Sequence, residues 1–238
     1  RYPMRRSFGI IATSILTCLM IATSFGGTVT GKINFKGPKP AATAIKMNAD
    51  PKCMKLHAGK SVEPQQIVVN PNNTLQYVFL YVKKGLEGKK FPMPAQKKTI
   101  DQKGCMYTPH MFGVMVNQPI EITNSDNTLH NIHALPKNSK AFNIAQPKQG
   151  MKMVQKFDKA EVMVKIKCEV HNWMAAYAGV LDHPFYAVSD DQGNYTIKDL
   201  PPGTYEIEAW HEKFPAQTMS VTVGSGDTKT ADFTFGGN

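Results

Sequence analysis

Long segments of helical period are few in this 238-residue chain, and no internal repeat or low-complexity stretch is present. That excludes helical bundles and repeat arrays as its main architecture. Cysteine is limited to four residues, and they nowhere form the Cys-x2-Cys-His arrangement that attaches a c-type haem. Charge is sparse at 19% of residues, with 18 acidic side chains against 28 lysines and arginines. The lysines stand singly or in pairs rather than interleaved with aromatics along a stripe, so nucleic acid is not an expected partner. With 42% apolar residues the chain can bury one sizeable core or two small ones. One or two compact domains is therefore the bound, and a large multidomain enzyme is ruled out.

What is abundant points to β-structure. Eighteen glycines and sixteen prolines punctuate short runs rich in Val, Ile, Thr, Tyr and Phe. Strands are expected at Gly27 to Gly37, Leu75 to Val82, Met111 to Val116, Ile120 to Thr123 and Val162 to Ile166. Others follow at Tyr195 to Ile197, Tyr205 to Trp210, Met219 to Val223 and Thr230 to Phe235. Leu75 to Val82 is nearly continuous in apolar residues, which predicts burial on both faces. Asn48 to Pro64 reads as a polar loop, and Asp190-Asp191-Gln192-Gly193-Asn194 as a hairpin turn. From Asp182 onward nine acidic residues meet three lysines, a balance of −6, which leaves +16 on residues 1–181. The basic part suits anionic lipid or an acidic protein partner.

Arg5-Arg6 precede Phe8 to Phe25, eighteen residues without a charge. As a helix this run would be about 27 Å long, enough to cross a bilayer. Ala22-Thr23-Ser24 before Phe25 also fits the small-residue cleavage site of an export signal. The expectation taken is an uncleaved N-terminal transmembrane helix, residues 1–26, with Arg5 and Arg6 on the cytoplasmic side. The protein is then expected in the cell inner membrane as a single-pass protein with the bulk of the chain periplasmic, an oxidising space for its cysteines.

The stretch from Asp190 to Ile207, with Pro201-Pro202-Gly203 between its strands, resembles the hallmark of carboxypeptidase regulatory-like domains, which are small transthyretin-type β-sandwiches. The opening strand of that family has the form Gly-x-Val-x-Gly, found here far upstream at Gly27-Thr28-Val29-Thr30-Gly31. The resemblance implies a split sandwich, residues 27–100 plus 182–238, with a second domain, 101–181, inserted. Such modules contribute structure or adhesion and supply no catalytic constellation.

The chemistry concentrates in Cys168-Glu169-Val170-His171-Asn172-Trp173-Met174, preceded by Asn124 to His133, which includes His130-Asn131-Ile132-His133. A thiolate, two imidazoles and a weak thioether form the donor set of a blue-copper centre. The spacing resembles the cupredoxins, most closely their amicyanin-like branch. The implied fold is all-β, a cupredoxin Greek-key sandwich inserted in a transthyretin-like β-sandwich. By that resemblance His130, Cys168, His171 and Met174 are ligands of one type 1 copper ion, and the Asn131 backbone amide bonds the thiolate. His171 at an exposed edge would be the electron port, and His133 a rim residue. No second cysteine lies between Glu161 and Met174, which argues against a dinuclear copper site, and Met174 argues against zinc.

Each residue alone has a plainer role: Cys168 and Met174 as core filling, His130 and His133 as satisfied histidines. With Cys168 on copper and Cys18 in the membrane, Cys53 and Cys105 remain, and a disulfide tying the sandwich to the inserted domain is expected. A second metal site with His57 and His110 is the alternative. The expected function is one-electron transfer rather than enzyme catalysis, with a redox protein or membrane electron-transfer complex as partner. The rival is a structural or docking subunit of a respiratory or photosynthetic complex, with the copper site empty.

Overall fold

The computed structural model describes residues 25–58 and 60–237. Alternation along Gly27–Lys36 makes the first strand, β1, whose Val29, Ile33 and Phe35 turn inward while Lys32 and Lys36 face solvent. A seven-residue helix, α1 (Pro51–His57), precedes β2 (Phe79–Lys84), β3 (Lys98–Lys103), β4 (Met106–Thr108), β5 (Met111–Met115), β6 (Ile120–Asn124), β7 (His130–Leu135) and β8 (Phe142–Gln146). Then come β9 (Lys152–Gln155), β10 (Glu161–Lys167), β11 (Ala175–Leu181), β12 (Tyr186–Val188) and β13 (Asn194–Leu200). The last are β14 (Gly203–Trp210), β15 (Gln217–Val223), β16 (Thr228–Thr230) and β17 (Phe233–Gly236). The described residues are all-β apart from α1.

Four sheets form. One has the order β13-β1-β16 with β17 also on β1, and it encloses an apolar core with the sheet β12-β2-β14-β15. The sheets β5-β11-β10-β7-β8 and β4-β3-β6-β9 enclose a second core around Ile122, Ile132 and Val164. A third cluster, including Phe79, Tyr81, Met111 and Leu181, lies where β2 meets β5 and β11. This accounts for the unbroken apolar run of β2: Leu80 and Val82 fill the first core, whereas Phe79 and Tyr81 face the other sandwich. Two glycines make that approach close. A Cβ on Gly179 would sit 2.3 Å from the Phe79 ring, and one on Gly113 would sit 2.2 Å from the ring of Tyr186.

The structure departs from the sequence expectations in several places. Regular pairing of β2 starts at Phe79 rather than Leu75, because Tyr77 takes a left-handed φ of 61° and Leu75 bridges Val69 instead. The last run divides into β16 and β17 at Ala231-Asp232, where Ala231 N–H bonds the Thr30 carbonyl and Asp232 Oδ1 accepts from Lys32 N–H. Within Asn48 to Pro64, Asp50 caps α1 and Pro51 occupies its first turn, which needs no amide there. Ile45, Met47, Cys53 and Val62, placed by sequence with the flanking sandwich, pack into the second core, because Cys53 is cross-linked to Cys105 there.

Among the described residues no helix is long and apolar enough to cross a membrane. The expected anchor, with Cys18, falls almost wholly on residues 1–24, outside the described residues.

Candidate metal centre

Strand register brings the key side chains together. Antiparallel pairing of β7 with β10 sets His133 opposite Lys167, so His130 at the start of β7 lies beside the turn that follows β10. That turn is closed by its own backbone. Met174 N–H donates to the His171 carbonyl at 3.0 Å, Cys168 N–H to the Met174 carbonyl at 3.3 Å, and His171 N–H to Cys168 Sγ at 3.3 Å. His130, Cys168, His171 and Met174 are all buried.

The imidazoles of His130 and His171 point their Nδ1 atoms at each other, 3.0 Å apart, and Cys168 Sγ lies 3.9 Å from His171 Nδ1. Donor atoms of these three residues all fall within 4.8 Å of one another. The outer nitrogens both meet carboxylates: His130 Nε2 is 2.9 Å from Asp126 Oδ2, and His171 Nε2 is 2.9 Å from Asp50 Oδ2. Asn131 Oδ1 lies 3.2 Å from Cys168 Sγ and accepts the Glu169 N–H at 2.6 Å.

Charge at this point is strongly biased. Burial alone would raise the Cys168 thiol, but hydrogen bonds from the His130 and His171 imidazoles and from the Asn131 and His171 backbone outweigh it and bring the pKa down to about 6. Burial opposes protonation of His130, yet Asp126 and the Cys168 sulfur raise it to about 8. His171 moves up as well, against its burial, because Cys168 and Asp50 hold its proton. Asp50 falls to about 2, its burial outweighed by bonds from His171, Lys52, Thr128 and Cys53. Without a metal, protons held on the two imidazoles offset part of the negative charge of a thiolate and two carboxylates. A cation among the three inner donors would take the place of those protons.

Cys53 and Cys105 form the expected disulfide, with Cα atoms 5.7 Å apart, but both half-cystines lie in the second core, so the bond does not tie the first sandwich to it as expected. His133 is a rim residue, its Nδ1 2.5 Å from Glu169 Oε1. His57 and His110 do not meet at the cysteines: His57 Nε2 is 2.7 Å from the Gly104 carbonyl, and His110 is 2.7 Å from Glu212 between the two sandwiches. Cys53, Cys105 and His171 also lie together, but the two sulfurs are bonded to each other and offer no free thiolate. One expectation is corrected. His171 is only 2% exposed, because Asp50, which caps α1, and Cys53 within it cover its outer nitrogen, so its ring edge is not an open port. Sequence reasoning also missed Asp50 and Asp126. Asp126 stands four residues before His130, and Asp50-Pro51 carries a helix-start signal, but neither feature announces a contact with a ligand histidine.

The family model of the carboxypeptidase regulatory-like domain matches residues 178–236. No curated protein matches the chain. Among solved structures it is similar to a copper-containing nitrite reductase from Thermus scotoductus SA-01, at 18% identity and TM-score 0.34, over 39% of this chain and 24% of that one. A purple cupredoxin from Nitrosopumilus maritimus is 22% identical, TM-score 0.31, over 35% of this chain and 99% of that one. An amicyanin variant in its Cu(I) form is 15% identical, TM-score 0.32, over 42% and 97%. The chain thus spans about a quarter of the nitrite reductase chain and nearly all of the other two.

Proposed function

We propose that this protein carries single electrons through one copper ion held by His130, Cys168, His171 and Met174. The observation that supports it is the convergence of two imidazole Nδ1 atoms on one buried thiolate, with both outer nitrogens engaged by carboxylates. One thiolate and two imidazoles suit copper in chemistry as well as in number. Bound there, copper would supply one-electron chemistry between Cu(I) and Cu(II). The chain's own part is to exclude water by burying the donors and to hold the turn from Cys168 to Met174 rigid through its backbone bonds. Asn131 braces the turn from the neighbouring strand, its Oδ1 accepting the Glu169 N–H. A small change in structure between oxidation states follows from such a held set.

Placement outside the cytoplasm, a membrane anchor in residues 1–26, and a redox protein or membrane complex as partner belong to the same reading. They are supported by the uncharged run Phe8 to Phe25 and by the disulfide. A second reading, a structural subunit of a membrane redox complex, is favoured by the cover over His171.

Purified protein loaded with Cu(II) should show intense thiolate-to-copper absorption, and Cys168→Ser should abolish it with the circular dichroism unchanged. A colourless wild type after loading rejects the copper reading. Intact complex assembly with unchanged turnover in both Cys168→Ser and His171→Ala would leave the scaffold role.

A further inference from the structure

We propose that Asp50 and Asp126 are positioning residues of this centre, joined through the Cys53–Cys105 disulfide into one clamp that turns both imidazole Nδ1 atoms inward and seals them from solvent. The proposal rests on the copper reading above and assigns a role to chain segments that reading leaves unused. A neutral imidazole has one N–H and one lone pair. If the N–H at Nε2 donates to a carboxylate, the lone pair is fixed at Nδ1, where a metal can take it. Both histidines are arranged this way, and their Nδ1 atoms face each other across 3.0 Å.

The carboxylates are themselves held. Asp50 Oδ1 accepts from Lys52 N–H at 2.8 Å and Cys53 N–H at 3.4 Å, and Asp50 Oδ2 accepts from Thr128 Oγ1 at 3.0 Å. Asp126 accepts from Gly104 N–H at 2.8 Å and Cys105 N–H at 2.7 Å. Each aspartate therefore binds the amide of one half-cystine, and the disulfide ties the two aspartate–cysteine units together. Helix capping alone explains only half of Asp50. A cap needs one oxygen, whereas the second oxygen is spent on His171 and Thr128.

The clamp also predicts an electronic effect. Two carboxylates against the ligands favour the more highly charged Cu(II) over Cu(I).

Asp50→Ser separates capping from clamping, because serine keeps a capping oxygen but has no carboxylate to reach His171. Asp126→Asn removes the charge beside His130, and Cys53→Ala with Cys105→Ala unties the two units. In chelator competition, Asp50→Ser and Asp126→Asn should each weaken Cu(II) binding about 10- to 100-fold, with a smaller effect on Cu(I). A tenfold loss confined to Cu(II) would appear as a rise of about 59 mV in the reduction potential. Wild-type affinity and potential in Asp50→Ser would overturn the proposal. The metal-free protein gives an independent readout. Far below the denaturation midpoint, Cys168 should be alkylated at least about tenfold faster in the variant lacking the disulfide, since Asp50 and Cys53 cover that side of the centre. An unchanged rate overturns the clamp even if copper binds. A wild type that binds no copper, together with faster alkylation, rejects the copper reading and keeps the clamp.

Discussion

Replacing Cys53 and Cys105 together by alanine should lower the stability of the metal-free protein by about 4 kcal/mol. The two residues are 52 apart in sequence, and in the chain-entropy account closing a loop of that size removes about 14 cal/mol/K from the unfolded ensemble. The loop contains β2, which pairs with both β12 and β14 in the other sandwich. The bond thus restrains chain that serves both cores. Alanine is the better replacement, since both side chains are fully buried and a serine hydroxyl without a partner would add about 1–3 kcal/mol of its own. Urea unfolding can be followed by Trp173, whose Nε1 donates to the Cys105 carbonyl at 3.0 Å, and by Trp210 on β14. With a urea slope of about 2 kcal/mol/M, the midpoint should fall by about 2 M. Wild type unfolded with a thiol reductant present should follow the variant. A variant within about 1 kcal/mol of wild type, with its circular dichroism intact, would refute the reasoning. The unfolded chain would then be as restricted without the bond as with it.

Stability should also fall in mild acid because of His211. Burial, the largest influence, pushes this group down to about 4, whereas in the unfolded chain it takes its proton near 6.5. Between those values the unfolded state binds the extra proton, so the contribution is complete above about pH 6.5 and is lost as pH falls towards 4, about 3 kcal/mol in all. His211→Gln should flatten this part of the stability–pH curve measured by urea titration, and an unchanged slope would assign it to other groups. Gly179→Ala should cost about 1–3 kcal/mol, because its Cβ would meet the Phe79 ring at 2.3 Å where the two sandwiches join. Thermal unfolding of that variant at wild-type temperature would show that the contact yields without cost.

The β-strands most legible in the sequence are those whose burial follows alternation. In β1, Val29, Ile33 and Phe35 mark the inner face, and in β13 Tyr195 and Ile197 do the same after the Asp190 to Asn194 turn. The strand β11 was not legible. Its sequence, Ala175-Ala176-Tyr177-Ala178-Gly179-Val180-Leu181, is rich in small residues of weak strand preference, yet it lies centrally between β5 and β10. Neighbours on both sides, and aromatic rings that need its small side chains, make it a strand. Strand β7, which opens on the polar His130 and Asn131, was hidden because these buried polar groups are satisfied by Asp126 just before the strand and Asn143 on the adjacent β8.

The same division runs through the metal centre. Spacing by itself determined that Cys168, His171 and Met174 share one short turn, since a seven-residue segment closed by its own backbone bonds needs nothing distant to form. Tertiary structure decided what covers that turn. Asp50 reaches His171 across 121 residues of sequence, carried by a helix too short to be stable alone and held in place by a disulfide to a loop beyond β3. Alternation and ligand spacing are set by neighbours along the chain, whereas the burial of His171 depends on a distant segment whose packing no local pattern encodes.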